Sequence, residues 1–141
     1  MFKNRNNVKV VLIAAAVVAI LLPAWTNSAA PQAPQVTRKV LMQQDLNVPG
    51  YTMALVSVEI PVGGREGRHT HPGTLVVYVE QGELTLDYEG KPTKTYKPGE
   101  SFSVEPGKIH EGINKANTPI KAIATFVVEK GKPLTTQAQK A

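Results

Sequence analysis

The three histidines of this 141-residue chain fall on two short segments whose spacing suits a metal site. His69 and His71 are separated by one residue in the run His-Thr-His-Pro-Gly, and His110 follows in Pro-Gly-Lys-Ile-His-Glu-Gly-Ile-Asn. Imidazole is the commonest metal ligand in proteins near neutral pH. Because side chains alternate across a strand, a His-x-His pair in an extended segment places both rings on one face. The pattern predicts a site for one divalent ion, with iron, manganese, copper, nickel and zinc all open.

The third histidine can join the first two only if the fold brings distant segments together. The prediction of a metal site therefore also requires a β-fold, in which strands far apart in sequence become neighbours. Without such a fold, His69 and His71 would be a solvated pair in a loop after Arg68. His110 would then be a hydrogen-bonded histidine of the core. Both alternatives stay open at this point.

The N-terminal residues have the layout of a segment that directs secretion. Three positive residues precede the apolar run Val10–Leu22, and small residues follow at Ala29 and Ala30. This layout predicts a secretory signal peptide over residues 1–29, cleaved after Ala29, and a secreted or periplasmic mature protein. The alternative is an uncleaved N-terminal anchor, although the apolar run is short for a membrane span.

The composition argues against several classes of protein. The chain has no cysteine, which excludes disulfides and a lipid-modified cysteine. The formal charge is +5, but removal of the leader leaves 13 basic and 11 acidic residues. The remaining charges are scattered and form no basic stripe. We therefore expect no nucleic-acid partner, and no membrane association after cleavage of the signal peptide.

Short apolar runs separated by glycine- and proline-containing turns dominate the rest of the chain. There is no amphipathic helix of any length in the mature region and no internal repeat. This pattern predicts one all-β domain, a barrel or sandwich, over residues 37–133. A flexible lead-in at 30–36 and a flexible tail at 134–141 are expected to flank it. The predicted strands are residues 37–43, 51–60, 74–80, 83–88, 93–96, 101–104, 110–114 and 120–129.

The clearest core face belongs to the segment Tyr51–Ile60. Its even-numbered residues from 54 onward are apolar, whereas its odd-numbered residues turn polar at Ser57 and Glu59. We therefore expect burial on both faces at first and on one face later. Tyr78 is expected to pack, as aromatic residues in strands usually do. The other residues expected in the core or in a cavity wall are Met53, Leu55, Val56, Val58, Leu75, Val77, Phe102 and Phe126.

The two histidine segments resemble the two sequence motifs of the cupin superfamily. The first motif is written G(x)5HxH(x)3,4E(x)6G, and Gly63, His69, His71 and Gly82 fall in its register. The residues between the two motifs are few, as in small single-domain microbial cupins.

The second cupin motif is written G(x)5PxG(x)2H(x)3N. Gly99, Gly107, His110 and Asn114 fall in its register, and the proline stands one place late, at Pro106. The resemblance spans roughly residues 36–133. It implies a double-stranded β-helix, the jelly-roll barrel of small quercetin-dioxygenase-like cupins. Small cupins often form homodimers, so a homodimer is also expected.

One metal ligand of the family is absent. The glutamate of the first motif should stand at position 75 or 76, where this chain has Leu75 and Val76. The resemblance then implies a three-histidine centre, similar to that of the thiol-dioxygenase branch. Loss of the carboxylate leaves one more positive charge on the centre. That charge favours a bidentate anionic ligand such as an enolate, a catecholate or a carboxylate.

Four other carboxylates are candidates to replace the absent one. Strand parity directs Glu80 away from the site, and Glu111, which neighbours a histidine, should also point away. Glu66 and Glu105 lie in loops and could swing towards the metal. Asn114 is expected to organise a turn or bond backbone groups rather than to contact metal.

Three functions compete on this evidence. The first is a metal-dependent oxidoreductase, resembling the quercetin-dioxygenase-like cupins, that transforms a small organic ligand. The second is a non-catalytic periplasmic protein that binds a metal or a small ligand, and the third is an interaction module whose partner supplies the function. The absent glutamate favours the second over what the family alone would imply. In the metal-binding cases, protonation of the histidines should weaken metal affinity below about pH 6.5.

Overall fold

A computed structural model of the chain describes residues 34–138. The predicted signal peptide at 1–29, its cleavage site and residues 139–141 of the predicted tail lie outside the described residues. The described part consists of ten strands without a helix. It accordingly contains no helical segment that is long and apolar enough to cross a membrane. The strands are β1 Thr37–Asp45, β2 Tyr51–Ile60, β3 His69–Thr70, β4 Thr74–Gln81, β5 Leu84–Tyr88, β6 Lys94–Tyr96, β7 Ser101–Val104, β8 His110–Ile113, β9 Ile120–Glu129 and β10 Thr136–Gln137.

The strands form two five-stranded antiparallel sheets. The first sheet has the order β1-β2-β9-β4-β7, and the second has the order β10-β3-β8-β5-β6. Neighbours in each sheet come mostly from distant parts of the chain, as the site prediction required. The architecture confirms the predicted all-β domain, a double-stranded β-helix with the jelly-roll arrangement.

The core lies between the inward faces of the two sheets. β2 is paired on both sides, with β1 and β9, and its even-numbered residues from 54 onward are buried as predicted. Thr52, which was not predicted in the core, is buried as well. The odd-numbered Met53 and Leu55 were expected in the core or a cavity wall, but they lie half-buried on the outer face. Tyr78 is 47% exposed, so the expectation that it packs is wrong. The reason is the alternation of β4, which turns its odd-numbered residues inward and leaves Tyr78 outside.

The barrel continues past its predicted end at residue 133. Thr136–Gln137 forms β10, which pairs with β3, and the Ala138 N–H donates a hydrogen bond of 2.9 Å to the Arg68 carbonyl. Residues 134–138 therefore belong to the barrel rather than to a flexible tail. Strands of two residues are too short to show alternation, which explains why neither β3 nor β10 has a periodic signal in the sequence.

Gly73, just before β4, marks a close approach of two backbone segments. A Cβ atom at this position would overlap the carbonyl oxygen of Val127 and lie 2.9 Å from Cγ1 of Val128. We expect Gly73→Ala to lower the free energy of unfolding by more than about 3 kcal/mol, because backbone rather than a flexible side chain must shift. Chemical denaturation measures the effect.

Gly90→Ala is the control for this substitution. Gly90 has a positive φ of 78° and open space around its Cβ position. The left-handed backbone conformation is then the only obstacle to a side chain, and it lowers the free energy of unfolding of Gly90→Ala by about 1–2 kcal/mol. Equal losses for the two variants would contradict the close approach at Gly73.

Candidate metal centre

The pairing of β3 with β8 brings the three histidines together. His69 lies directly opposite His110 in this antiparallel register, and His71 follows two residues after His69, on the same face. The ring centroids are 4.4 Å apart for His69 and His110, and 4.8 Å apart for each of the two pairs that include His71. All three are at most 3% exposed. Their ligand atoms lie within 4.8 Å of one another, so the cluster can hold one metal ion.

Each histidine is held through its Nδ1 atom by a backbone carbonyl. The partners are the carbonyl of Gly67 for His69 at 2.7 Å, that of Leu134 for His71 at 2.6 Å, and that of Lys108 for His110 at 3.0 Å. A carbonyl oxygen only accepts hydrogen bonds, so each Nδ1 must carry the proton and donate. In the neutral rings every Nε2 is then a bare acceptor, which is the form that a metal requires.

Two of these bare acceptors face each other. The Nε2 atoms of His71 and His110 are 3.2 Å apart. Neither neutral ring has a proton on Nε2, so the contact sets two lone pairs against each other unless a cation lies between them. Metal–nitrogen distances of about 2.0–2.1 Å place neighbouring nitrogens about 3.0–3.4 Å apart around one ion. The separation of this pair and the donor set of the cluster therefore fit a metal ion.

Burial keeps the rings of His71 and His110 neutral. Desolvation lowers the pKa of His71 to about 4, against a raising effect of the Leu134 carbonyl, and the other two histidines and Arg38 lower it further. Desolvation also lowers the pKa of His110, and the Lys108 carbonyl opposes that shift. For these two rings, protons would therefore compete with a metal only below pH 6.5, at lower pH than the unperturbed pKa of histidine predicts.

An ion pair between an exposed arginine and a buried glutamate, Arg65 and Glu111, stabilises the loop that precedes β3. Glu111 is 1% exposed and points away from the cluster, as strand parity predicted. It accepts hydrogen bonds of 2.6 Å from both Nε and Nη2 of Arg65, and one of 3.0 Å from the Gly67 N–H. The Arg65 guanidinium holds the pKa of this carboxyl below its usual range. The pair ties the loop carrying the Gly67 carbonyl, and hence His69, to the strand carrying His110.

An apolar cavity adjoins the three imidazoles. Leu75 is 4% exposed and lines it, whereas Val76 is 47% exposed on the outer face. The inward place of the absent family glutamate is thus occupied by leucine. The free volume is about 30 Å³, which is space for an ion and one or two waters. Other apolar residues of the cavity wall are Val58, Ile60, Val77, Leu84, Leu86, Phe102, Ala122, Ala124 and Phe126.

Arg38 and Glu66 supply the charged part of the cavity wall. Oε1 of Glu66 accepts a hydrogen bond of 2.7 Å from Nη2 of Arg38, and Oε2 accepts one of 3.2 Å from the Gly112 N–H. A Cβ atom at Gly112 would lie 2.6 Å from Oε2, so the glycine leaves room for this carboxylate. Glu66 lies outside the three-histidine group but lines the same cavity.

The remaining candidate residues lie away from the metal cluster. Glu80 is exposed, as strand parity predicted, and Glu105 is exposed and accepts a hydrogen bond of 2.8 Å from the Tyr88 hydroxyl. Asn114 organises a turn, as expected: its amide donates to the carbonyls of Ile60 and Thr118 at 3.0 and 2.8 Å. Its side-chain oxygen also accepts from the Ala116 N–H at 3.0 Å.

The sequence did not point to Arg38, Arg65 or Leu134 as parts of the site. Arg38 lies in β1, outside both motifs, and only its register opposite Val58 turns it inward. Leu134 acts through its backbone carbonyl, which every residue possesses. The position of Arg65 in the loop before His69 is a signal in the sequence, but its pairing with Glu111 depends on the fold and has no local signal.

The fold and site together define a class of protein, a cupin-type barrel with inward-facing imidazoles. The family model described as a cupin domain matches residues 56–132, which is more than half of the chain. The chain therefore belongs to the cupin domain family. No curated protein sequence matches it significantly.

Solved structures show the same fold. A conserved protein with a double-stranded β-helix domain from Klebsiella pneumoniae is 19% identical, with a TM-score of 0.61 over 79% of this chain and 90% of that one. The polyketide cyclase RemF from Streptomyces resistomycificus is 19% identical, with a TM-score of 0.60 over 75% of this chain and 72% of that one.

A third similar structure is longer than this chain. The DMSP lyase DddQ from Ruegeria pomeroyi is 21% identical, with a TM-score of 0.56 over 61% of this chain. The match spans 43% of the lyase. At such identities these likenesses establish the fold alone.

The buried neutral histidines make the stability of the metal-free protein depend on pH. The pKa of His71 is about 4 in the folded state and about 6.5 in the unfolded state. As the pH falls, His71 therefore binds a proton in the unfolded chain before it does so in the folded protein, and protonation favours unfolding. Between pH 7 and pH 5 the free energy of unfolding should fall by about 2 kcal/mol from His71 alone. The lowered pKa of His110 acts in the same direction.

Urea denaturation of chelator-treated protein at several pH values measures this loss. The variant His71→Gln removes one titrating ring and should flatten the slope of stability against pH. A slope that is unchanged in the variant would contradict the burial of a neutral His71.

Proposed function

We propose that this protein binds one divalent transition-metal ion through the Nε2 atoms of His69, His71 and His110. The observation that carries the proposal is the 3.2 Å contact of two Nε2 atoms whose rings both donate through Nδ1. A cation bound by both nitrogen atoms would remove the repulsion between their lone pairs. The metal would act as a Lewis acid and keep coordination positions open for a ligand atom.

The apolar wall beside the three histidines would contact the body of a small organic ligand once the cavity, now about 30 Å³, opens to admit it. The cavity wall is mostly aliphatic and aromatic, with charged groups only at Arg38 and Glu66. An anionic group of the ligand would bind the metal, and the Arg38 guanidinium would add a charge-assisted hydrogen bond. The ligand class that we propose is therefore an enolate, a catecholate or a carboxylate with an apolar body.

Two roles fit such a site, and we place binding before catalysis. The wall has leucine where the family motif has its glutamate ligand, so the centre lacks the carboxylate of the usual four-ligand set. A metal-dependent oxidoreductase of the quercetin-dioxygenase-like type is the second candidate. The carboxylate of Glu66 favours it, because this group lines the cavity and could accept a proton from a bound ligand.

Secretion and dimerisation are further parts of the proposal. The N-terminal pattern of residues 1–29 supports export to the periplasm or the outside. The family resemblance supports a homodimer. Expression of the full-length chain, followed by fractionation and mass determination, would test both.

Metal binding is tested by titration of chelator-treated, untagged protein with Zn²⁺ or Co²⁺. We expect one equivalent to bind to the wild type, and His110→Ala to abolish stoichiometric binding, because two imidazoles remain. Thr70→Ala is the matched control, since it lies on β3 between the two other ligands and should bind like the wild type. Stoichiometric binding by His110→Ala would refute the three-histidine site.

The ligand class is tested by titrating Co²⁺-loaded protein with catechol and acetylacetone, followed by absorption. We expect both to bind, and Arg38→Met to weaken binding about tenfold, because one charge-assisted hydrogen bond is lost. Lys39→Met removes the same charge from the opposite face of β1 and should have no effect. The proposal would be contradicted if neither compound binds, or if the affinity for the compounds falls equally in Arg38→Met and Lys39→Met.

A further inference from the structure

His71 differs from the other two histidines in the origin of its backbone partner. The Nδ1 atoms of His69 and His110 donate to the carbonyls of Gly67 and Lys108, each two residues earlier on the same stretch of chain. His71 instead donates to Leu134, 63 residues further along the chain, at 2.6 Å. Its orientation therefore depends on a separate segment, residues 134–138, which we name the C-terminal segment.

The C-terminal segment is attached to the barrel by few contacts. β10 is a two-residue strand at the edge of its sheet, and within residues 34–138 its one strand partner is β3. The Ala138 N–H adds one hydrogen bond to the Arg68 carbonyl, and Leu134 packs half-buried against the core. A short edge strand with so few bonds opens at lower free energy than the central strands of a sheet.

The same segment contributes to the wall of the cavity beside His71. Thr135 is part of the cavity wall, and its hydroxyl lies 3.4 Å from Nδ1 of His71. With the segment docked, the free volume of about 30 Å³ admits an ion and water but no organic ligand of several atoms. Release of the segment would remove the Thr135 side of the wall and the Leu134 carbonyl together.

From this arrangement we propose that Leu134 is a positioning residue for His71 and that the C-terminal segment is a closure over the metal cavity. The inference rests on the proposed metal binding. When the segment is docked, the Leu134 carbonyl fixes the ring of His71 with Nε2 free and aimed at the other two ligands. Metal bound to Nε2 in turn favours the docked segment, because coupling between two binding events is reciprocal. Opening of the segment admits the organic ligand and loosens one metal ligand.

The first test compares metal affinities by competition with a chromophoric chelator for Zn²⁺. Deletion of residues 134–141 should weaken Zn²⁺ binding by about 10–100-fold, the usual effect of removing the hydrogen-bond partner of a ligating histidine. Deletion of residues 139–141 alone is the matched control and should leave the affinity unchanged. Wild-type affinity in the longer deletion would overturn the inference.

A second measurement covers the case in which the longer deletion fails to fold. Ala138→Pro removes the N–H that bonds the Arg68 carbonyl and should weaken Zn²⁺ binding by a smaller factor. Amide hydrogen exchange of the intact protein should slow at residues 135–138 when Zn²⁺ is added. Identical exchange with and without bound Zn²⁺ would overturn the coupling. Failure of the intact protein to bind Zn²⁺ would instead refute the metal site itself and the inference with it.

Discussion

The antiparallel register that sets His69 opposite His110 is the constraint on which the rest of the site depends. It joins two segments that are far apart in sequence through a single residue pair between β3 and β8. A single residue pair does not fix the register of two strands, so neighbouring elements stabilise this pairing. The Arg65–Glu111 pair ties the preceding loop to β8, and β10 covers the other edge of β3. Each support acts on backbone near a metal ligand rather than on the ligand ring alone.

Burial of the three imidazoles has a free-energy cost, which a bound metal ion would offset. Three buried rings lose their hydration, and each regains one hydrogen bond through Nδ1 while its Nε2 stays free. For His71 and His110, burial and repulsion by neighbouring histidines disfavour the charged form and lower the pKa. A metal ion satisfies all three free atoms at once, so metal would add to the stability of the fold.

Sequence reasoning succeeded where periodicity or a motif carried the signal. The eight longer strands, the inward face of β2 and the three-histidine cluster all have local patterns, and the structure bears out the strands and the grouping of the histidines. Prediction from the sequence failed where a residue's position depends on contacts between distant segments of the chain. The register of β1 turns Arg38 inward, the main chain of Leu134 holds His71, and β3 and β10 are too short to alternate. The odd-numbered residues of β4 face the core, so the even-numbered Tyr78 is exposed. Packing against the other sheet determines which of the two faces is buried.

The metal site that we propose consists of His69, His71 and His110. Elemental analysis of untagged protein isolated from its native compartment, beside a His69→Ala variant prepared identically, tests it most directly. We expect one equivalent of a divalent transition metal in the wild type and almost none in the variant. A wild type without metal, or equal metal in both preparations, would contradict it. The element found would also separate redox-active iron, copper, manganese or nickel from zinc, and so indicate whether oxidative chemistry or binding is the better account of the cavity.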